Sequence, residues 1–300
     1  MVIEKSDSLS KRPVPSMPVD PRLPEPAPAA AKAGRLADLG SSAALASVGA
    51  ACLLVAWQIV ASLKPNLPSP AESLTEFRLQ LASPFHDLGP NDKGIFLMLG
   101  SSLLKVFSGF SLAALVGIPA GFALGASRKL NKVANPLIQL LRPVSPLAWY
   151  PLALTFFLTS TPSPNVSFLA SILTIGVTAL WPTLINTAVG VAGVPEDHRN
   201  VARVFRFSRS KYVRQVLLPY SMGSVVTGLR LSMGIGWMVI VAVEMLSGGA
   251  GIGFFVWDRY NNSNLPAVVV AIFFIGMIGV VLDLCFKKLA DRFDYTAVVR

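Results

Sequence analysis

Between Pro195 and Pro219 the chain reads PEDHRNVARVFRFSRSKYVRQVLLP, a stretch that joins two long apolar segments yet carries Arg199, Arg203, Arg206, Arg209, Lys211 and Arg214. Its apolar residues are periodic. Val201, Val204 and Phe205 fall at i, i+3, i+4, and Tyr212, Val213, Val216 and Leu217 at i, i+1, i+4, i+5, each set on one helical face. Pro195 followed by Glu196 and Asp197 suits a first helical turn, and Ser208 suits the cap of a second helix. The spacing predicts two short amphipathic helices on the basic side of a membrane protein. The alternative reading of the spacing is a solvated loop whose charge only sets orientation in the membrane.

A second set of chemically active groups lies within or at the ends of apolar spans: Lys105, Arg142, Arg230 and Glu244. A charge at a helix centre costs about 2.5–3.5 kcal/mol on insertion scales, so each must face the bundle or a cavity, or snorkel outward. The structural reading is snorkelling or helix–helix pairing. The functional one is an anion path, for which Arg142, Ser145, Trp149, Arg230 and Glu244 are the candidates, with backbone donors freed near Ser145 and Trp149. Met233, Trp237, Met238 and Met245 read as core packing.

Catalytic signatures do not appear. The sequence has no Gly-x-x-x-x-Gly-Lys-Ser/Thr phosphate loop, no His-Glu-x-x-His and no Gly-x-Ser-x-Gly. Its two histidines, His86 and His198, fall in different loops, and Cys52 and Cys285 are far apart, which suits small buried hydrophobes. No enzyme and no cofactor is expected on this chain.

The elements that must position these groups are apolar rods. Hydrophobic residues make up 53% of the chain and charged residues 14%, where a soluble domain would carry about a quarter charged. The net charge of +10 would suggest nucleic acid in a soluble protein. Here the cations sit in blocks between apolar spans, which is a topology signal and excludes that partner. Residues 1–38 form a Pro-rich tail, expected to be disordered and cytoplasmic. Apolar spans are expected at about 43–63, 96–124, 134–158, 167–189, 222–246 and 266–286, each long enough to cross a bilayer. A short surface helix is expected at 72–81, inside the Pro-rich loop that runs to about Lys93. The third span holds Pro143, Pro146 and Pro151, so it must be kinked or broken, with its freed carbonyls turned to protein or water. With the N-terminus inside, the outer segments hold only Lys64, Arg78, Lys93 and Arg259 among the basic residues. Both termini are therefore expected in the cytoplasm, with six crossings. The outer loop 248–265 carries Trp257 and Tyr260, which read as interfacial anchors.

The 195–219 loop resembles the coupling loop of bacterial ABC importer permeases, whose pattern is E-A-A, three residues, Gly, nine residues, I-x-L-P. Asn200-Val201-Ala202 stands at E-A-A, Arg206 at the Gly, Val216 at the Ile, and Leu218-Pro219 closes the motif. Two positions depart: the Glu is Asn200 and the Gly is Arg206. Arg142-Pro143-Val144-Ser145-Pro146-Leu147-Ala148-Trp149, Thr227-Gly228-Leu229-Arg230, Glu244-Met245-Leu246 and Gly251-Ile252-Gly253-Phe254 are similar to the nitrate/sulfonate/bicarbonate branch. GIGWMVIVAVEML, WDRYNNS and the terminal RFDYT look most like nitrate permeases.

The resemblance implies an all-α polytopic membrane protein with the type I ABC importer permease fold. It implies a loop and first helix over 39–93, a permease core over 94–290 and a short tail over 291–300. It places Asn200, Val201, Ala202, Val204, Phe205, Arg206, Leu218 and Pro219 in contact with a separate ATPase, through which ATP acts. It further implies a second permease copy, a solute-binding protein at the outer loop, and residence in the bacterial inner membrane. The cargo expected is a small anion, nitrate first, with sulfonate, taurine or bicarbonate as alternatives. A stand-alone secondary transporter would show paired broken helices in inverted repeats, and a single Pro-rich span appears.

Overall fold

The computed structural model describes residues 28–64, 66–89, 92–160 and 165–293, with 28–43 as helix backbone. Among them no strand forms, apart from a single bridge between Asp87 and Lys93. Two compact units are present, one ending at Ile59 and one from Val60 onward. The first is the greater part of α1 (Pro28–Leu63). This helix starts well before the expected Ala43, so the Ala-rich end of the expected tail is helical. Residues 1–27 lie outside the described set, as do 294–300 and the 161–164 turn.

The second unit holds α2 (Pro70–Ala82), α3 (Ile95–Ala126), α4 (Arg128–Leu141), α5 (Pro146–Ser160), α6 (Val166–Ala192), α7 (Glu196–Val204), α8 (Arg209–Tyr212), a π turn (Val213–Leu217), α9 (Leu218–Ser247), α10 (Ile252–Asn261) and α11 (Leu265–Phe293). Glycines let three of these rods approach closely, which matters in lipid, where apolar burial no longer drives association. A Cβ on Gly109 would sit 2.6 Å from Ile175 Cβ, and one on Gly121 would sit 2.6 Å from Thr187 Cβ. The two pairs share one sequence interval, so α3 and α6 run parallel. Gly190 meets Ser224 and Gly228 meets Asn186, so α9 runs antiparallel to α6. Trp237 Nε1 donates to the Ile275 carbonyl at 3.0 Å and joins α11, again antiparallel. Met98, Val106, Ile175, Met233, Ile240 and Phe255 fill the space between these helices. α2 is fixed at its start by a Ser69–Glu72 capping box and, further along, by Phe77 stacked on Phe274 at 5.5 Å.

This register gives the unit two ends. At one lie the starts of α3 and α6, the end of α9, and α10. At the other lie the ends of α3, α6 and α11, with α4, α7 and the start of α9.

Five helices are long and apolar enough to cross a membrane among the described residues: 44–63, 95–126, 166–192, 209–247 and 265–293. The expected third span is instead α4 and α5, separated by residues 142–145. Pro143 and Pro146 remove two donors there, so the ladder ends although Arg142 itself keeps helical geometry, and α5 starts afresh at Pro146. α5 alone is about 22 Å long, short of a ~30 Å hydrocarbon core. Cys52 and Cys285, expected as buried hydrophobes, are both exposed.

Candidate functional site

α7 forms as its sequence dictates. Pro195 precedes it in extended geometry, Glu196 and Asp197 occupy the first turn, and Arg203 the last, complementing the helix dipole. Its C-terminus closes by a left-handed turn: Phe207 N–H donates to Ala202 O at 2.9 Å and Arg206 N–H to Arg203 O at 3.0 Å. Arg206 carries that turn with φ +47°. Only glycine adopts this conformation freely, which explains physically why the coupling-loop pattern has Gly there. α7 is tied down by Arg199, whose Nη2 donates to Ala192 O at 3.0 Å and satisfies a carbonyl at the end of α6. His198 meets the Tyr220 ring of α9 at 6.1 Å.

One face of α7 is left open. Val201, Val204 and Phe205 are 53%, 78% and 70% exposed, and Asn200, Arg203, Arg206 and Arg209 are exposed around them. Ala202 departs from expectation: it is buried, since it lies with Arg199 on the face turned to the bundle. The second expected helix also differs. Ser208 does cap α8, accepting from Lys211 N–H at 3.3 Å, but α8 continues through the π turn into α9 without a break. Pro219, lacking an amide donor, sits just beyond that turn beside Leu218, so the motif's end begins the membrane rod. Any force on α8 is thereby applied directly to α9.

The charged groups within the spans do not assemble into one path. Glu244 has no exposed side-chain surface and Lys105 7%. Lys105 Nζ donates to Glu244 Oε1 at 2.8 Å and to Ala250 O at 2.7 Å. Ser102 Oγ lies 2.7 Å from Glu244 Oε2 and accepts from Ile252 N–H at 2.8 Å, while Gly253 N–H donates to Glu244 Oε2 at 3.0 Å. Glu244 is thus engaged in a closed knot that joins α3, α9 and the turn into α10. Gly251 is required at this knot, because a Cβ there would collide with the Glu244 carboxylate.

Arg230 is likewise engaged, in a two-pronged pair with Asp283 of α11 at 2.7 Å on both prongs, beside a cavity of about 120 Å³. It lies about 21 Å along α9 from Glu244. Arg142 and Ser145 are exposed at the α4–α5 break. Trp149 is half-buried beside a pocket of about 180 Å³ with Leu152, Phe156 and Thr174. Its indole nitrogen is covered and has no acceptor.

Sequence reasoning missed Ser102, Asp283 and α10. A lysine inside an apolar span demands a partner, and Ile252, Phe255 and Val256 at i, i+3, i+4 mark a helix. Those two signals were available. Trp257 and Tyr260 stack on α10 with ring centroids 6.1 Å apart and remain partly exposed. Beside them Tyr260, Asn261 and Ser263 face Asn66, Leu67 and Glu72 across an open groove of about 710 Å³.

Residues 113–295 match the family model described as "Binding-protein-dependent transport system inner membrane component". The chain is 43% identical over 238 residues to the nitrate import permease protein NrtB of Synechocystis sp., covering 79% of this chain and 84% of that protein. It is 44% identical over 234 residues to the bicarbonate transport system permease protein CmpB of Synechococcus elongatus, covering 77% and 82%. It is 30% identical over 245 residues to the taurine transport system permease protein TauC of Escherichia coli, covering 81% and 86%. An inward-facing structure of the MetNI methionine ABC transporter superposes with a TM-score of 0.59 at 14% identity, covering 65% of this chain and 93% of that one.

Proposed function

Since the chain belongs to the binding-protein-dependent transport system inner membrane component family, as the membrane-spanning permease of an ABC importer, we propose that it carries nitrate inward, driven by an ATPase docked on α7. The observation that carries the coupling role is the unpartnered face of Val201, Val204 and Phe205, ringed by arginines. Moving a monovalent anion into a negative-inside cell costs about 2.3 kcal/mol per 100 mV before any concentration ratio. The chain has no phosphate loop, so ATP acts through the partner. Closure of the ATPase pair would press α7 of two permease copies together and, through the unbroken α8–α9 rod, switch the bundle between inward- and outward-facing states.

Charge supports placing the α7 end in the cytoplasm. Arg128, Lys129, Lys132, the loop cations, Lys287 and Lys288 gather there, whereas Glu72, Asp87, Asp92 and Asp258 gather at the other end. Lys93 donates to Asp87 at that acidic end and holds its carboxyl below the usual carboxylate range. Both termini are then cytoplasmic, α5 with the 142–145 break completes six passages, and the open groove beside Tyr260 faces a solute-binding protein. Bicarbonate is the second reading, favoured by the 44% identity to a bicarbonate permease.

The test is ATP-driven uptake in proteoliposomes holding the complete transporter. Phe205→Asp should leave insertion and ATPase turnover in place while uptake falls at least tenfold. Normal uptake by that variant would remove the coupling role. Labelled nitrate accumulating over labelled bicarbonate supports the first cargo, and the reverse ratio the second.

A further inference from the structure

Among the described residues of the second unit, α4 is the one long helix that buries none of its residues. Leu130, Val133, Leu137 and Leu140, at i, i+3, i+7 and i+10, make one stripe, and each is more than half exposed. The opposite face carries Arg128, Lys132, Asn135 and Gln139, with Lys129 at its edge and Arg142 at the helix end. No acidic residue occurs from 128 to 142. Among the described residues none of these cations has an ion-pair partner. Ser127 caps the helix by accepting from Leu130 N–H at 3.3 Å, so it begins abruptly where the crossing rod α3 stops. Because α3 ends beside the end of α6, α4 lies at the α7 end of the bundle, and its own end leads into α5, packed on α6.

An amphipathic helix strung between two membrane-embedded rods, apolar on one side and polar with only positive charge on the other, meets at that depth the boundary between acyl chains and headgroups. We propose that α4 lies in the bilayer interface on the α7 side, its leucine stripe in the acyl region and its cations on anionic phospholipid headgroups. The helix then anchors the α4–α5 break at a fixed depth. Anionic lipid thereby becomes a ligand of the permease, distinct from its cargo. The inference rests on the membrane-spanning fold and on the cytoplasmic placement of the α7 end, not on nitrate as cargo.

The test needs no transport. In the full chain with Cys52→Ala and Cys285→Ala, a fluorophore is attached at Val133→Cys, or at Leu137→Cys should the first variant fold poorly. The protein is reconstituted with shallow nitroxide-labelled phosphatidylglycerol or phosphatidylcholine at equal mole fraction. Quenching by phosphatidylglycerol should exceed that by phosphatidylcholine, and R128Q/K129Q/K132Q should lower the ratio by about threefold or more. Equal quenching by both lipids would overturn headgroup selection. Quenching by aqueous iodide, or ready disulfide formation between the Val133→Cys residues of two copies, would overturn the interfacial placement. Normal lipid quenching alongside failed nitrate uptake would count against the cargo and leave this site standing.

Discussion

The two ends of the bundle solve opposite problems with the same residue types. At the α10 end Lys105, Ser102, Glu244 and the 250–253 turn bond to one another out of contact with solvent. At the α7 end Arg203, Arg206 and Arg209 surround exposed valines and a phenylalanine, and among the described residues none of the three arginines has an ion-pair partner. A closed knot ties α3, α9 and α10 together, and an open face leaves apolar surface uncovered. On the proposed coupling role, motion is received at the open face and passed on through the rods.

Cutting the knot should have the largest effect. Lys105→Met takes away the cation paired with Glu244 and leaves Ser102 and Gly253 as its partners, a change costing about 3–5 kcal/mol for a broken buried pair. The expected outcome is loss of monodisperse protein after detergent extraction, with Lys105→Met/Glu244→Gln recovering much of it. Equal behaviour of the single and double variants would show that the pair carries no such burden. Gly251→Ala pushes a methyl into the same carboxylate and should cost about 1–3 kcal/mol, read as a lower Tm. At the open end the sign reverses. Arg206→Gly removes a left-handed arginine and should raise stability by about 1 kcal/mol. A drop would mean that the Arg206 side chain holds something. Smallest is Arg230→Gln. Its pair with Asp283 is part-exposed, so Tm should stay nearly unchanged, with uptake kept. Uptake lost at unchanged stability would return Arg230 to the anion path.

The rods were legible because lipid imposes one rule, a run of apolar residues about twenty long, and α3, α6, α9 and α11 obey it. α7 was legible from the spacing of Val201, Val204 and Phe205 and from its acidic first turn. Less was visible where a contact joins distant parts of the chain. Nothing local tells Glu244 that its partner stands at Lys105, or Arg230 that Asp283 lies opposite, so an anion path and a helix–helix pair stood side by side as readings of both. Local signals also misjudged the split between α4 and α5. The prolines announced a break, but the amphipathic pattern of 130–140 belongs to an interface rather than a crossing.

The account stands or falls on the α7 face as a docking surface inside the cell. With Cys52 and Cys285 replaced by alanine, Val204→Cys should react with a membrane-impermeant maleimide in inverted vesicles stripped of the ATPase. Reaction should stop when the ATPase rebinds, and intact cells should show none. Modification of Val204→Cys from outside intact cells, or undiminished reaction with the ATPase bound, would contradict it.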